Sequence, residues 1–201
     1  MKKIKICGLF RDEDIQAVNL SKPDFAGFII NFPKSHRNLS LEKLEMLTNQ
    51  LSSDVKAVGV TVDQPVQMVA ELINKKIIDI SQLHGHEDNE YIQNLKELIP
   101  AGTPIWQAIQ IKSLEDVARA NRSLADFIIL DAGQGAGVTF DWSVLDGIDR
   151  EYGLAGGINT DNIDKALKTR ATLIDVSGGA ETEKLKDPSK IHMIIERVRS
   201  N

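Results

Sequence analysis

Eight short apolar runs, each followed by a segment of helical periodicity, set the strongest constraint on this 201-residue chain. The runs begin near Lys3, Asp24, Lys56, Ile78, Thr103, Asp126, Tyr152 and Thr172. Between them Leu41, Leu44, Leu47 and Leu51 fall on one side of a helix, as do Val66, Val69, Ile73 and Ile77. Ser40, Ser113 and Thr160 stand where helices start, and Pro65 and Pro188 suit first helical turns. Parallel strands need a crossover, and a helix supplies it, so strand-then-helix units every ~20–30 residues read as a parallel sheet. Eight such units close most economically into a single-domain α/β fold, the (β/α)8 or TIM barrel, here over residues 1–201. An open doubly wound sheet is the alternative. No linker or low-complexity tract divides the chain.

Composition narrows the partners. With 42% hydrophobic residues the chain can bury a full core. A net charge of −5 disfavours nucleic acid, whose phosphates attract basic faces. A single cysteine forms no internal disulfide, which fits the reducing cytoplasm. No run reaches the ~18 apolar residues of a membrane span, and no signal-peptide pattern opens the chain.

In a barrel, chemistry sits at the C-terminal strand ends and in the loops after them. Strand 1, Lys3 to Cys7, alternates Lys3, Lys5 and Cys7 on one face with Ile4 and Ile6 on the other. Cys7 therefore stands at the rim on the polar face, where the Lys5 ammonium favours thiolate. A buried thiol acting as a small hydrophobe is the plainer reading. After strand 2, Lys34 and Arg37 are offered to a ligand, and the planar fork of arginine suits a carboxylate. Solvated loop charges explain them equally well.

Gln82 and His84 share a face at the end of strand 4. His84-x-His86 has the look of a metal pair, but no further ligand accompanies it, and no metal is expected. Strand 6 ends at Asp131 after four large apolar residues, a costly place for a carboxylate without a partner or a task. An apolar surround raises a carboxyl pKa, which suits a general acid; a turn or cap aspartate is the other reading.

Glycines recur where an anion could approach the backbone. Gly135 and Gly137 lie in the loop after strand 6, although neither a Walker loop nor a dinucleotide fingerprint is present. Gly156-Gly157 comes after strand 7 and Gly178-Gly179 after strand 8, the place where barrels build phosphate sites. Asp175 and Ser177 share a face of strand 8 and can both reach the pocket.

Together these strand ends resemble the phosphoribosylanthranilate isomerase family. The likeness runs through Lys5-Ile-Cys-Gly-Leu, Gly27-Phe-Ile, Ser35-His-Arg, Gln82-Leu-His-Gly, Asp131, Thr139-Phe-Asp-Trp, Gly156-Gly-Ile, Asp175-Val-Ser and Lys186-Asp187. The resemblance implies an Amadori rearrangement without a cofactor, converting N-(5-phosphoribosyl)anthranilate to 1-(2-carboxyphenylamino)-1-deoxyribulose 5-phosphate in tryptophan biosynthesis. It implies Cys7 as general base and Asp131 as general acid, with Arg37 on the anthranilate carboxylate and Gln82, His84 and Asp175 in the pocket. The glycines and Ser177 then hold phosphate. The chain is expected to be a monomer or homodimer, with a small phosphorylated sugar-anthranilate as its partner. Competing expectations are a related barrel acting on another phosphosugar and a non-catalytic phosphate-binding barrel. The chain departs from the family pattern at Gln134, at Val138 (a usual lysine), at His36, at Gly178 and at Lys184 (a usual glycine).

Overall fold

A computed structural model describes residues 1–131 and 142–200. Among the described residues eight parallel strands form the barrel: β1 Lys3–Cys7, β2 Phe25–Ile30, β3 Lys56–Thr61, β4 Ile80–Leu83, β5 Ile105–Gln110, β6 Phe127–Asp131, β7 Tyr152–Ala155 and β8 Leu173–Val176, with a short parallel pair of residues, Asn38–Leu39, added beside β2. Each pairs with its neighbours in order, and β1 closes the ring by pairing with both β2 (Lys5 opposite Phe25) and β8 (Lys5 opposite Asp175). The fold is thus a closed (β/α)8 barrel, and the open-sheet alternative is excluded.

The helices are α1 Asp12–Ser21, α2 Leu41–Thr48, α3 Val66–Asn74, α4 Asn89–Leu98, α5 Leu114–Arg122, α6 Ile163–Leu167 and α7 Pro188–Arg199. A 3-10 helix, Trp142–Gly147, stands in the place of a helix after β6. Ser40 and Ser113 cap α2 and α5 as expected, each accepting from a backbone N–H at 3.3 Å. Thr160 does not cap α6. The helix starts two residues further on with Asn162 at its boundary, and no side chain caps it; Asn159 and Asn162 instead accept from each other's backbone N–H. Among the described residues no helix is long and apolar enough to cross a membrane.

Strand parity divides the core into two layers. Outward residues such as Ile4, Ile6, Phe28, Ile109 and Ile174 pack under the helices. Inward residues Val58, Ile80, Trp106, Ala108, Ile129 and Leu173 fill the barrel. At its lower end Phe25 and Trp106 meet edge-to-face with centroids 4.8 Å apart, and Phe127 lies 5.3 Å from Trp106. Burying one such aromatic contributes about 4–6 kcal/mol as an upper estimate.

Three aspartates stitch the same end. Each precedes an even strand and accepts the first free N–H of the odd strand before it: Asp24 from Ile4 at 3.0 Å, Asp79 from Ala57 at 2.8 Å, Asp126 from Ile105 at 2.8 Å. Each also meets a lysine, respectively Lys3, Lys56 and Lys96.

Candidate active site

The opposite end of the barrel is built from different residues. Lys5 points inward from β1 and is fully buried, its Nζ 2.8 Å from Asp175 Oδ2 on the adjacent β8. Cys7 lies one step higher on the same face. Gly27 sits beside it in register, and a Cβ there would fall 2.8 Å from the thiol sulfur and 2.9 Å from Lys5 Cε. A glycine at that position is what lets ammonium and thiol share the strand end.

Burial pushes the Cys7 thiol above its ordinary value, Lys5 and more weakly Lys186 pull it down, and the Asp175 charge pushes it up again. The net direction is upward. The ammonium thus acts as the sequence suggests, but loss of water outweighs it. Burial works against the Lys5 charge, yet Asp175 and Cys7 together more than offset it, so its pKa is raised and the ammonium keeps its proton.

Cys7 and Asp131 both line one cavity of about 260 Å³ at the C-terminal face, along with Arg37, Gln82, His84 and Asp175. β1 and β6 are not neighbours in the ring, so a ligand can lie between thiol and carboxyl. His84 Nε2 stands 3.6 Å from Asp131 Oδ2. Gln82 Oε1 and Asp175 Oδ1 are buried, and neither has a hydrogen-bond partner among the described residues. Unpaired buried acceptors are costly unless something supplies a donor.

The glycine pairs close the cavity on the β7–β8 side. Gly156 and Gly157 adopt left-handed φ values of +95° and +64°. Asn159 and Gly179 form a parallel bridge that ties the two loops together, and a Cβ at Gly179 would fall 1.9 Å from the Ile158 carbonyl oxygen. Ser177 lines the cavity, but its hydroxyl donates to the Cys7 carbonyl at 3.1 Å. No long helix starts directly after either pair. α6 begins at Ile163, and after β8 a hairpin of Glu181–Thr182 and Leu185–Lys186 intervenes before α7. Loop backbone, rather than a helix N-terminus, faces the cavity there.

Other expected groups separate. Lys34 is exposed and is not part of the cavity wall. His86 turns away from His84 to bond Asp63 at 3.0 Å on the outer surface. Gly135, Gly137, Gln134 and Val138 lie outside the described residues.

Arg37 meets Glu181, a residue without a strand-end signal, and Glu181 in turn meets Lys186. Arg37 Nε and Nη2 donate to the two carboxylate oxygens of Glu181 at 2.6 and 2.7 Å. Lys186, paired with Glu181 across the hairpin, donates to Oε1 at 2.6 Å. The only trace of this in the sequence is a pair of opposite charges five residues apart.

An eight-stranded parallel barrel whose C-terminal mouth gathers a thiol, a carboxyl and glycine loops after β7 and β8 has the layout of a (β/α)8-barrel enzyme. The profile of the N-(5'-phosphoribosyl)anthranilate (PRA) isomerase family matches residues 4–197, and the chain belongs to that family. It is 42% identical over 204 residues to the N-(5'-phosphoribosyl)anthranilate isomerase of Clostridium kluyveri, covering 100% of this chain and 99% of the relative. Phosphoribosyl anthranilate isomerase from Thermotoga maritima superposes with a TM-score of 0.85 at 29% identity, with both chains fully covered. A solved isomerase in complex with reduced 1-(o-carboxyphenylamino)-1-deoxyribulose 5-phosphate gives 0.84, also at 29% identity and with both chains fully covered.

Proposed function

We propose that this chain converts N-(5-phosphoribosyl)anthranilate to 1-(2-carboxyphenylamino)-1-deoxyribulose 5-phosphate in tryptophan biosynthesis, with Asp131 as general acid and Cys7 as general base. The observation that supports these roles best is that both residues enter one cavity from non-adjacent strands.

Asp131 gives its proton to the furanose ring oxygen as the C1–O bond breaks, leaving an iminium between C1 and the anthranilate nitrogen. The Cys7 thiolate removes the C2 proton, and the C–H electron pair neutralises the iminium to give an enol-amine. Return of the thiol proton to C1 and of the enol proton to Asp131 yields the ketone and restores both groups. C2 is oxidised as C1 is reduced, so the electrons balance within the substrate and no cofactor is required. Burial keeps the thiol protonated at rest, so the thiolate is a minor form that Lys5 enlarges.

Arg37 takes the anthranilate carboxylate, and Gln82, His84 and Asp175 contact the sugar. The Asp175 and Gln82 oxygens that lack partners suit ribose hydroxyls. Phosphate lies against Gly156, Gly157, Gly178 and Gly179, with Ser177 beside it. This reading places the protein in the cytoplasm, where a lone thiol stays reduced, as a monomer or a homodimer; one solved relative, 30% identical, is a generated monomer of an isomerase described as dimeric.

The test is loss of fluorescence on freshly made phosphoribosylanthranilate, with and without EDTA. Turnover insensitive to EDTA is expected. Activity that EDTA abolishes would favour a barrel working on another phosphosugar through a metal. Binding without turnover would favour a non-catalytic barrel.

A further inference from the structure

The partners of Arg37 hold more information than its presence at the mouth. A guanidinium carries five N–H donors in a rigid fork. Glu181 occupies the Nε side, taking Nε–H and one Nη2–H. Nη1 and the outer Nη2–H have no partner among the described residues, and Arg37 lines the cavity.

Glu181 cannot easily leave. Its carboxylate is 7% exposed and is also held by Lys186, whose side chain is 1% exposed and which donates as well to the Ser177 carbonyl at 3.0 Å. The hairpin beneath is pinned from three sides. Lys190 donates to the Glu181 carbonyl at 2.7 Å, Arg11 to the Lys186 carbonyl at 3.1 Å, and Thr182 to Asp187 at 2.7 Å. Gly8, with φ +78°, completes the seat, since a Cβ there would fall 2.4 Å from Arg37 Cδ.

Charge points the same way. Arg37 brings one positive charge and Lys186 a second, which burial disfavours while Glu181 supports it, against the one negative charge of Glu181, so the largely buried cluster leans positive. An excess charge away from water is stabilised by a counterion.

We propose that Glu181, braced by Lys186, is a positioning residue that turns the Nη1–Nη2 end of Arg37 into the cavity, and that the cluster's positive balance makes an aryl carboxylate a requirement of binding. The inference rests on the isomerase reading and goes beyond it in naming what selects the substrate. It also rejects the opposite role, in which Glu181 occupies the ligand's own place and must be displaced.

The test uses two ligands, reduced 1-(o-carboxyphenylamino)-1-deoxyribulose 5-phosphate and the same compound lacking the carboxylate. Binding of each is measured by calorimetry to the unmodified protein, Glu181→Ala and Glu181→Gln, with thermal melts as a fold check. The unmodified protein should prefer the carboxylate ligand at least about tenfold, the scale of a charge-assisted hydrogen bond. Glu181→Ala should remove most of that preference, leave the carboxylate-free ligand within about threefold, and raise KM more than it lowers kcat. Glu181→Gln should fall between, and it carries the test alone if the alanine variant does not fold.

Tighter binding of the carboxylate ligand to Glu181→Ala would overturn the proposal in favour of displacement. Equal losses for both ligands would reduce Glu181 to a structural role. No preference in the unmodified protein would remove the carboxylate requirement while leaving the isomerase reading intact. No binding of either ligand, with no turnover, would overturn both.

Discussion

The two ends of the barrel interior are made from the same strands and satisfy opposite demands. At the N-terminal end Phe25, Trp106 and Phe127 fill the space, and Asp24, Asp79 and Asp126 each accept a strand's first N–H. At the C-terminal end β1, β4 and β8 place Cys7, Gln82 and Asp175 on the wall of an open cavity, with Lys5 buried beneath them. Gln82 Oε1 and Asp175 Oδ1 lack partners there among the described residues. One end spends its residues on stability; the other holds desolvated polar groups that only a ligand completes. On β1 the inward positions are Lys5 and Cys7, whose register neighbours are Phe25 and Asp175 for Lys5 and Gly27 for Cys7, so the change from apolar filling to polar groups falls within one strand.

The contrast can be broken from either side. Trp106→Ala removes the middle ring of the lower layer and should destabilise the fold by about 3–5 kcal/mol in denaturant titration, while the molecules that stay folded keep their turnover. An unchanged unfolding midpoint would mean that the aromatic layer is not what holds the lower end together.

Asp131→Asn should do the reverse, lowering kcat at least about 10²-fold with the unfolding midpoint nearly unmoved. A variant that keeps its activity would remove the general acid.

Lys5→Met sharpens the comparison at one group. It takes away the ammonium that pulls the Cys7 thiol down and leaves the Asp175 charge that pushes it up, so the pH at which Cys7 alkylates should rise. No rise would remove Lys5 from the mechanism. The same shift sets the sign for stability. The folded thiol holds its proton above the ordinary value of 9.0, where the unfolded thiol has lost it, so this group's contribution to stability declines as pH rises past that value.

The smallest effect belongs to the hairpin that carries Glu181. Glu183 and Lys184 sit at its turn with φ +52° and +66°, a region in which L-residues are strained. Lys184→Gly should stabilise the protein by about 1 kcal/mol, read as a higher thermal midpoint. A lower midpoint would show that the lysine side chain contributes more than its backbone loses.

Much of the barrel was legible because β-strand parity and helix periodicity are local. The expected starts at Lys3, Lys56 and Tyr152 coincide with those found; Ile78 lies two residues early because Asp79 belongs to the stitching below the strands, and Thr103 two residues early because it closes a turn onto the Pro100 carbonyl. Cys7, Asp131, Gln82 and Asp175 could be read as pocket groups because each stands on the inward parity near a strand end. Parity stops with the strand, and the loops beyond it gave weaker signals. Arg37 could be read as a charge but not as half of an ion pair with a residue 144 positions away. The hairpin opposing Glu181 and Lys186 turns through Glu183-Lys184, residue types that carry no turn signal. The start of α6 lies at Asn162 and not at Thr160, beside a reciprocal bond between Asn159 and Asn162 that neither residue announces alone.

The thiol at the end of β1 is the group on which the proposed chemistry most depends. Turnover of freshly made phosphoribosylanthranilate should be followed by fluorescence for the unmodified protein and for Cys7→Ala, with a melt to confirm that both are folded. A fall in kcat of at least about 10²-fold in the alanine variant is the expected result. Equal rates for the two proteins would contradict it.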